Sequence, residues 1–193
     1  KPIALDLATT SRLSDTFKNS GNIVSVGYMN RYRQSVQKAR DLFQQPGNQG
    51  ILANGWWTTQ MPPPQWWRTF DQSGGQFAEQ CTHLVDICRY AMGEIVEVSA
   101  YATGGFMKEV PDYSVDDAMV VNARFVSGAL ASFSTGCFPF KDNDANPDGG
   151  IGLSLSSRNH RIALSKWNLN GTVYSGENDE EIIPAEEDIF LVQ

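Results

Sequence analysis

The sequence predicts a mixed α/β domain of the α+β type, with helices packed on one face of a largely antiparallel open sheet. Helical spacing of apolar residues is concentrated in the first half of the chain, whereas short β-rich runs separated by turn residues fill the second half. The 193 residues, 41% hydrophobic and 19% charged, are typical of one globular domain of ordinary size. We therefore interpret 1–193 as a single domain.

The first half is predicted to contain three helices. Apolar residues recur there at steps of three or four, and runs rich in glycine, asparagine or proline end each segment. The helices are predicted at 5–18, 31–44 and 74–92. Two β-rich runs between them, 23–29 and 51–57, are predicted strands. The run 61–67 contains three consecutive prolines, which lack the amide donor that a helix or strand needs, and is predicted to be a loop.

From residue 95 onward the pattern predicts strands. They are expected at 95–101, 118–126, 129–134, 152–156, 161–165 and 173–174. The turn Ser127-Gly128 makes the second and third of these a hairpin, and the fourth and fifth form another. Residues 141–150 are predicted to be a polar loop, and the acidic stretch 177–188 to be solvated.

Composition excludes several classes of function. The net charge of −7 disfavours a nucleic-acid partner, which would need clustered lysine and arginine. No apolar run approaches the roughly 20 residues that span a bilayer. Three cysteines without a C-x-x-C pair indicate free thiols in a reducing compartment, so a cytoplasmic location is expected. No metal site is predicted, because Cys81 lies opposite His83 on its helix and His160 falls in a turn.

The third predicted helix carries the residues best suited to chemistry. At about 100° per residue, Glu79, His83, Asp86 and Tyr90 fall in one narrow band. A histidine titrates near neutrality, and a nearby carboxylate can stabilise its protonated form or fix its tautomer, which suits proton transfer to a hydroxyl. A solvated face with a chance Glu/His pair is the alternative on spacing alone. The opposite, buried face is predicted to comprise Phe77, Cys81, Leu84, Cys88, Ala91 and Met92.

Two tryptophan pairs are further candidates. Trp56-Trp57 and Trp66-Trp67 can serve packing or ligand stacking. Trp66 and Trp67 follow the prolines, and are the better candidates for stacking on a sugar.

The run 73–86, with its Gly-Gly pair, Glu79, His83 and Asp86, resembles the signature of the glucose-fructose oxidoreductase / inositol dehydrogenase / rhizopine-catabolism (Gfo/Idh/MocA) family. Lys1-Pro2 resembles the end of the family's Glu-Lys-Pro motif. Residues 26–32, Asp116-Asp117 and 125–129 are similar to later family segments in the same order. The resemblance covers nearly the whole chain.

The resemblance implies an amino-terminal Rossmann domain that binds NAD or NADP, followed by this substrate-binding domain, whose sheet mediates homo-oligomers. It makes Lys1 the residue that orients or polarises substrate, Glu79 the acidic residue and His83 the acid/base. Lys1 and Pro2 would also contact the cofactor. The residues implied on the substrate side are Asp86, Asn30, Arg31, Trp66 and Trp67.

Two departures from the family pattern matter. Glu79 stands where Asp is commoner, and no G-x-G-x-x-G motif occurs, since Gly150-Ile151-Gly152 lacks the third glycine. We therefore expect the Rossmann domain and the family's last helix to lie outside this chain, and this chain alone to be inactive.

The implied activity of the parent protein is hydride transfer between NAD(P) and a sugar, cyclitol or related polyol. Three alternatives remain open. They are a non-catalytic oligomerisation or sensor module, an NAD-dependent glycosidase without net redox, and a carbohydrate-binding domain that uses its tryptophans.

Overall fold

The computed structural model describes residues 1–138, 150–176 and 179–184. Four α-helices lie in the first half of the chain: α1 Leu7–Ser20, α2 Gln34–Phe43, α3 Phe70–Ser73 and α4 Thr82–Met92. Two 3₁₀ turns (Met29–Tyr32 and Gln65–Arg68) and one π-helical turn (Phe77–Cys81) accompany them. The strands are β1 Gly50–Gln60, β2 Ile95–Thr103, β3 Ala118–Phe125, β4 Leu130–Phe138, β5 Ile151–Ser157, β6 Arg161–Ser165, β7 Asn170–Tyr174 and β8 Glu180–Ile183.

The eight strands form one open sheet in the order β2-β3-β4-β1-β5-β6-β7-β8. β1 and β4 run parallel, and the other described neighbours are antiparallel. Both predicted hairpins are confirmed, as β3 with β4 and β5 with β6. The largely antiparallel sheet of the predicted fold class is therefore present. All but residue 150 of the predicted polar loop and half of the acidic stretch lie outside the described residues. The described half of the acidic stretch contains β8.

One face of the sheet is buried beneath α2 and α4. Along β1 the inward-facing Ala53 alternates with exposed residues, and Phe133 and Leu153 lie in the same core on the neighbouring strands. Val36 and Leu84 meet them from the helices. This alternation gives β1 a buried side and an open side, with Trp57 on the buried side. None of the described helices is long and apolar enough to cross a membrane.

The prediction of a strand at 23–29 is wrong. Residues 21–28 form no ladder with any described strand, and a 3₁₀ turn begins at Met29. The β-branched residues are nevertheless there, and Ile23 is fully exposed. A strand needs a neighbouring strand for its backbone hydrogen bonds, and the described chain provides none beside this segment.

The single helix predicted at 74–92 is interrupted. The short helix α3 ends at Gly74, and Gly74 and Gly75 both adopt positive φ (73° and 85°). Such angles favour glycine and stop a helix, so the helical path restarts as the π turn and continues into α4. The prediction of a loop at 61–67 is wrong for residues 65–67. These residues belong to a 3₁₀ turn that starts directly after Pro64.

Candidate active site

Lys1 and Glu79 meet although 78 positions separate them. The Lys1 Nζ donates to Glu79 Oε1 at 3.3 Å, and both side chains are largely covered. The first residues reach Glu79 because Leu5 packs at Gly74, where a Cβ would come within 2.8 Å of Leu5. The Gly-Gly pair thus admits a neighbouring segment closely, and the two residues predicted to act on substrate form an ion pair.

His83 is buried one helical turn beyond Glu79. Its ring is 3% exposed and lies between two aromatic side chains. Trp57 stacks on it with ring centroids 6.0 Å apart and 24° between planes, and Tyr28 meets it edge-on. The Tyr28 hydroxyl in turn pairs with the Thr82 hydroxyl at 2.9 Å. The imidazole is therefore held in a fixed orientation by packing.

The environment keeps His83 neutral. Burial lowers its pKa to about 4, and the positive charge of Lys1 acts in the same direction. The expectation that a neighbouring carboxylate would stabilise the protonated form is wrong, because Glu79 is paired with Lys1 and Asp86 with Arg31. The Nδ1 atom is buried without a hydrogen-bond partner. A neutral imidazole with an unused nitrogen can accept a proton.

Asp86 and Arg31 form a two-pronged ion pair. Arg31 Nε donates to Asp86 Oδ2 at 2.8 Å, and Arg31 Nη2 donates to the other carboxylate oxygen. Arg31 also lies over the ring of Tyr90. The solvated-face alternative for this side of the helix is wrong, because His83 and Asp86 are both at least 95% buried. This ion pair links the 29–32 turn to α4.

Other predicted substrate residues are placed elsewhere. Asn30 is 5% exposed, and its side-chain oxygen accepts from Arg33 Nε at 2.9 Å. Trp66 and Trp67 lie on the second 3₁₀ turn with rings 5.6 Å apart, so their aromatic contacts join them to each other and not to His83. Lys1 and Pro2 are both exposed as whole residues.

The sequence reasoning missed the aromatic residues that enclose His83. The sequence predicts a strand at Tyr28, and it leaves packing or ligand stacking open for Trp57. No sequence pattern singles out Trp167, which meets Trp57 edge-on at 5.9 Å and is 59% exposed. The period of two along β1 carries the one available signal, because Ala53, Gly55 and Trp57 share the side that faces α4.

The remaining histidine belongs to a separate cluster. His160 Nδ1 pairs with the buried Asn48 amide at 2.9 Å, and Ser157 donates to the same asparagine. These contacts tie the α2–β1 connection to the β5–β6 hairpin. No group of three or more histidine, cysteine or acidic residues that could hold a metal ion occurs within the described parts of the chain.

Comparison with known proteins agrees with this architecture. The profile of the GFO/IDH/MocA C-terminal domain matches residues 49–146. The chain is 31% identical over 134 residues to the myo-inositol 2-dehydrogenase of Thermotoga maritima, covering 67% of this chain and 39% of that protein. It is 33% identical over 135 residues to the scyllo-inositol 2-dehydrogenase (NAD(+)) of Bacillus subtilis, with 67% and 38% coverage. It is also 28% identical over 142 residues to the 2,7-anhydro-N-acetylneuraminate hydratase of Escherichia coli, with 70% and 38% coverage.

Solved structures share the fold at low identity. An NAD binding oxidoreductase from Klebsiella pneumoniae superposes with a TM-score of 0.78 at 15% identity, covering 96% of this chain and 53% of that one. A levoglucosan dehydrogenase in complex with NADH and levoglucosan gives a TM-score of 0.76 at 18% identity, with the same coverage. The chain therefore spans about two fifths of the curated relatives and about half of the solved chains that it matches.

Proposed function

This chain belongs to the Gfo/Idh/MocA family, and from that premise we propose that it is the substrate-side domain of an NAD(P)-dependent oxidoreductase. The parent protein would transfer hydride between the nicotinamide and a hydroxyl-bearing carbon of a sugar, cyclitol or related polyol. The supporting observation is the pairing of Lys1 with Glu79 one helical turn from a buried, neutral His83.

His83 would exchange the proton of the reacting hydroxyl. As the carbon loses hydride, the hydroxyl proton passes to the neutral imidazole, and the product is a carbonyl compound. In the reverse direction the imidazolium returns the proton to the forming alkoxide. Burial favours the neutral base at physiological pH, and the stacked Trp57 fixes the direction in which the ring points.

Lys1 would polarise the same oxygen. An ammonium group has three donors, and one of them is used by Glu79, so the others can reach a substrate hydroxyl or carbonyl. Glu79 holds the lysine in place and offsets part of its charge, which would otherwise oppose protonation of His83 more strongly. The extra methylene of glutamate, compared with the commoner aspartate, is accommodated by this contact.

The residues present fit the reactive end of a nicotinamide cofactor but not its phosphates. When bound, NAD or NADP accepts or donates the hydride. Lys1 and Pro2 would contact it, whereas the sequence contains no glycine fingerprint for a pyrophosphate. We propose that the dinucleotide domain is a separate part of the parent protein, consistent with the share of the relatives that this chain covers.

The amino-terminal segment offers a surface for such a domain. Leu7 on α1 is 82% exposed, and Ile23 and Val24 in the segment that follows α1 are exposed as well. Ile3, Phe17, Val24 and Val26 line a groove of about 410 Å³ between α1 and this segment. Apolar side chains in these numbers favour contact with another protein surface.

The open face of the sheet is the proposed site of homo-oligomer formation. Two cross-strand pairs there join exposed apolar residues, namely Tyr101 with Val120 and Leu52 with Leu130. A charge at this surface, as in Leu130→Glu, should lower the molar mass measured by light scattering.

A cytoplasmic location fits the three reduced cysteines, all of which are buried.

The proposed activity is tested with the full-length protein and its His83→Ala variant. We expect NAD(P)-dependent turnover of polyols to fall at least a hundredfold in the variant, the scale of one acid/base catalyst. His160→Ala is the matched control, because that histidine belongs to the Asn48 cluster. Near wild-type rates for His83→Ala would overturn the assignment of His83. Micromolar binding of NAD by this chain alone in calorimetry would contradict the separate dinucleotide domain.

A reaction without net redox is the second candidate. The similarity to a hydratase from Escherichia coli supports it, since addition of water leaves the oxidation state of the substrate unchanged overall. The same His83 and Lys1 could then move protons around a transient carbonyl. Product analysis with and without added oxidised cofactor separates the two, because only the dehydrogenase consumes cofactor in proportion to product.

A further inference from the structure

Trp57 and Trp167 form an aromatic path from the surface of the domain to His83. Trp57 is 5% exposed and stacks on the imidazole. Trp167 meets the indole of Trp57 edge-on, and its own ring is 59% exposed. The two centroid distances place the Trp167 ring within about 12 Å of the His83 ring. One buried ring, that of Trp57, therefore connects a large exposed indole to the buried imidazole of His83.

The turn that carries Trp167 is built in an uncommon way. Lys166 and Leu169 both have positive φ (65° and 50°), which side-chain-bearing residues rarely adopt. The turn is nevertheless fixed at both ends. Lys166 N donates to Ile151 O at 2.9 Å, and the buried Leu169 accepts from the Ser35 hydroxyl at 2.9 Å. Such backbone persists where the surroundings hold it, and it occurs preferentially at ligand-binding positions.

We propose that Trp167 is the substrate-stacking residue of this site, against which the apolar face of a sugar or cyclitol ring lies while its hydroxyl points toward His83. This inference rests on the proposed function and names its specificity-determining residue. The C–H groups on one face of such a ring bury well against an indole, whereas the hydroxyls around its edge remain free for Lys1 and His83.

The same role was predicted for Trp66 and Trp67, and the contacts favour Trp167. The rings of Trp66 and Trp67 contact each other, whereas Trp167 is joined to His83 through a single ring. The anchored turn also fixes Trp167 before any ligand binds, so little ordering is needed on binding.

The test compares Trp167→Ala and Trp167→Phe in the full-length protein, with myo-inositol, scyllo-inositol and levoglucosan as probe substrates. We expect Trp167→Ala to raise the KM of the best probe about tenfold, the scale of one aromatic contact, and to leave the KM of the dinucleotide unchanged. Trp167→Phe should restore most of the affinity. Ile182→Ala, which removes a similarly exposed apolar side chain from the edge strand, should change neither constant.

The outcomes separate this inference from the proposed function. A wild-type protein that turns over none of the probes overturns both. Turnover with an unchanged polyol KM in Trp167→Ala overturns the stacking role alone, as does a tenfold effect found for Trp66→Ala instead. If Trp167→Ala lowers Tm and weakens dinucleotide binding as well, Trp167 packs against another protein surface and the inference fails.

Discussion

Arg31 and Asp86 form an ion pair in which the arginine reaches solvent and the carboxylate does not. The side chain of Arg31 is 40% exposed, and that of Asp86 is 6% exposed. The two partners therefore depend on each other unequally. An arginine that loses its partner can turn to water, whereas a buried carboxylate that loses its partner stays desolvated.

Removing the arginine should accordingly cost more than neutralising the acid. We expect Arg31→Ala to lower the free energy of unfolding by about 3 kcal/mol, and Asp86→Asn by about 1 kcal/mol. Urea unfolding of both variants measures the difference. A larger loss of unfolding free energy for Asp86→Asn than for Arg31→Ala would show that the carboxylate makes stabilising contacts other than that with Arg31.

Stability should fall as the pH drops below that of neutral buffer, because His83 is buried in its neutral form. Burial lowers its pKa from the ordinary value of 6.5 to about 4 in the folded chain. As the pH falls, His83 binds a proton in the unfolded chain before it does so in the folded chain. The free energy of unfolding is therefore unaffected by this group above about pH 6.5, and it decreases as the pH falls toward 4. Between about pH 7 and pH 5 we expect a loss of about 2 kcal/mol from this group.

Substitution of the histidine isolates its share of this pH dependence. Glutamine does not titrate. Between about pH 7 and pH 5 the unfolding free energy of His83→Gln should therefore fall by about 2 kcal/mol less than that of the wild-type chain. His160→Gln serves as the control for the other histidine. Equal pH dependence in wild type and His83→Gln would contradict burial of a neutral His83.

Much of the sheet could be predicted because its strands form local hairpins. β3 with β4 and β5 with β6 are joined by short turns, and alternation with turn residues is a sufficient signal for such pairs. The segment at 23–29 has the same β-rich composition and forms no strand. Composition indicates where a strand can form, but pairing depends on a partner, and the described residues hold none beside Ile23.

The candidate site was predicted in part for a similar reason. Helical spacing predicts that Glu79, His83 and Asp86 share one side of a single helix. In the structure Glu79 lies on the π turn, and His83 and Asp86 lie on α4 directly after it. Their partners come from distant segments, with Lys1 on Glu79, Trp57 on His83 and Arg31 on Asp86. Spacing along one helix cannot predict these contacts, and so it could not predict that His83 is neutral.

Gly152 should not tolerate a side chain. A Cβ at this position would lie 2.0 Å from the indole of Trp56 on the neighbouring strand β1. The ring is rigid, so alanine must displace it or the backbone, and we expect Gly152→Ala to lower the free energy of unfolding by about 2 kcal/mol. Gly176→Ala is the matched control, since no atom lies within 4 Å of its Cβ position. Similar stability of the two variants in urea would show that Trp56 moves freely.

The three cysteines should be unreactive until the chain unfolds. Cys81, Cys88 and Cys137 are each 0% exposed. Burial raises the pKa of Cys81 and of Cys137 to about 12, and that of Cys88 further still. The thiolate is the reactive form, so at about pH 8 a disulfide reagent such as Ellman's should find neither access nor nucleophile.

In guanidinium the same reagent should report three thiols per chain. Ser127→Cys adds a thiol at the exposed turn between β3 and β4, and that thiol should react within the mixing time in the folded protein. The added thiol shows that the reagent is active, so a slow reaction of the three native cysteines reports their burial. If a thiol of the native chain reacted as fast as that of Ser127→Cys, at least one cysteine would lie at the surface, and the prediction would be wrong.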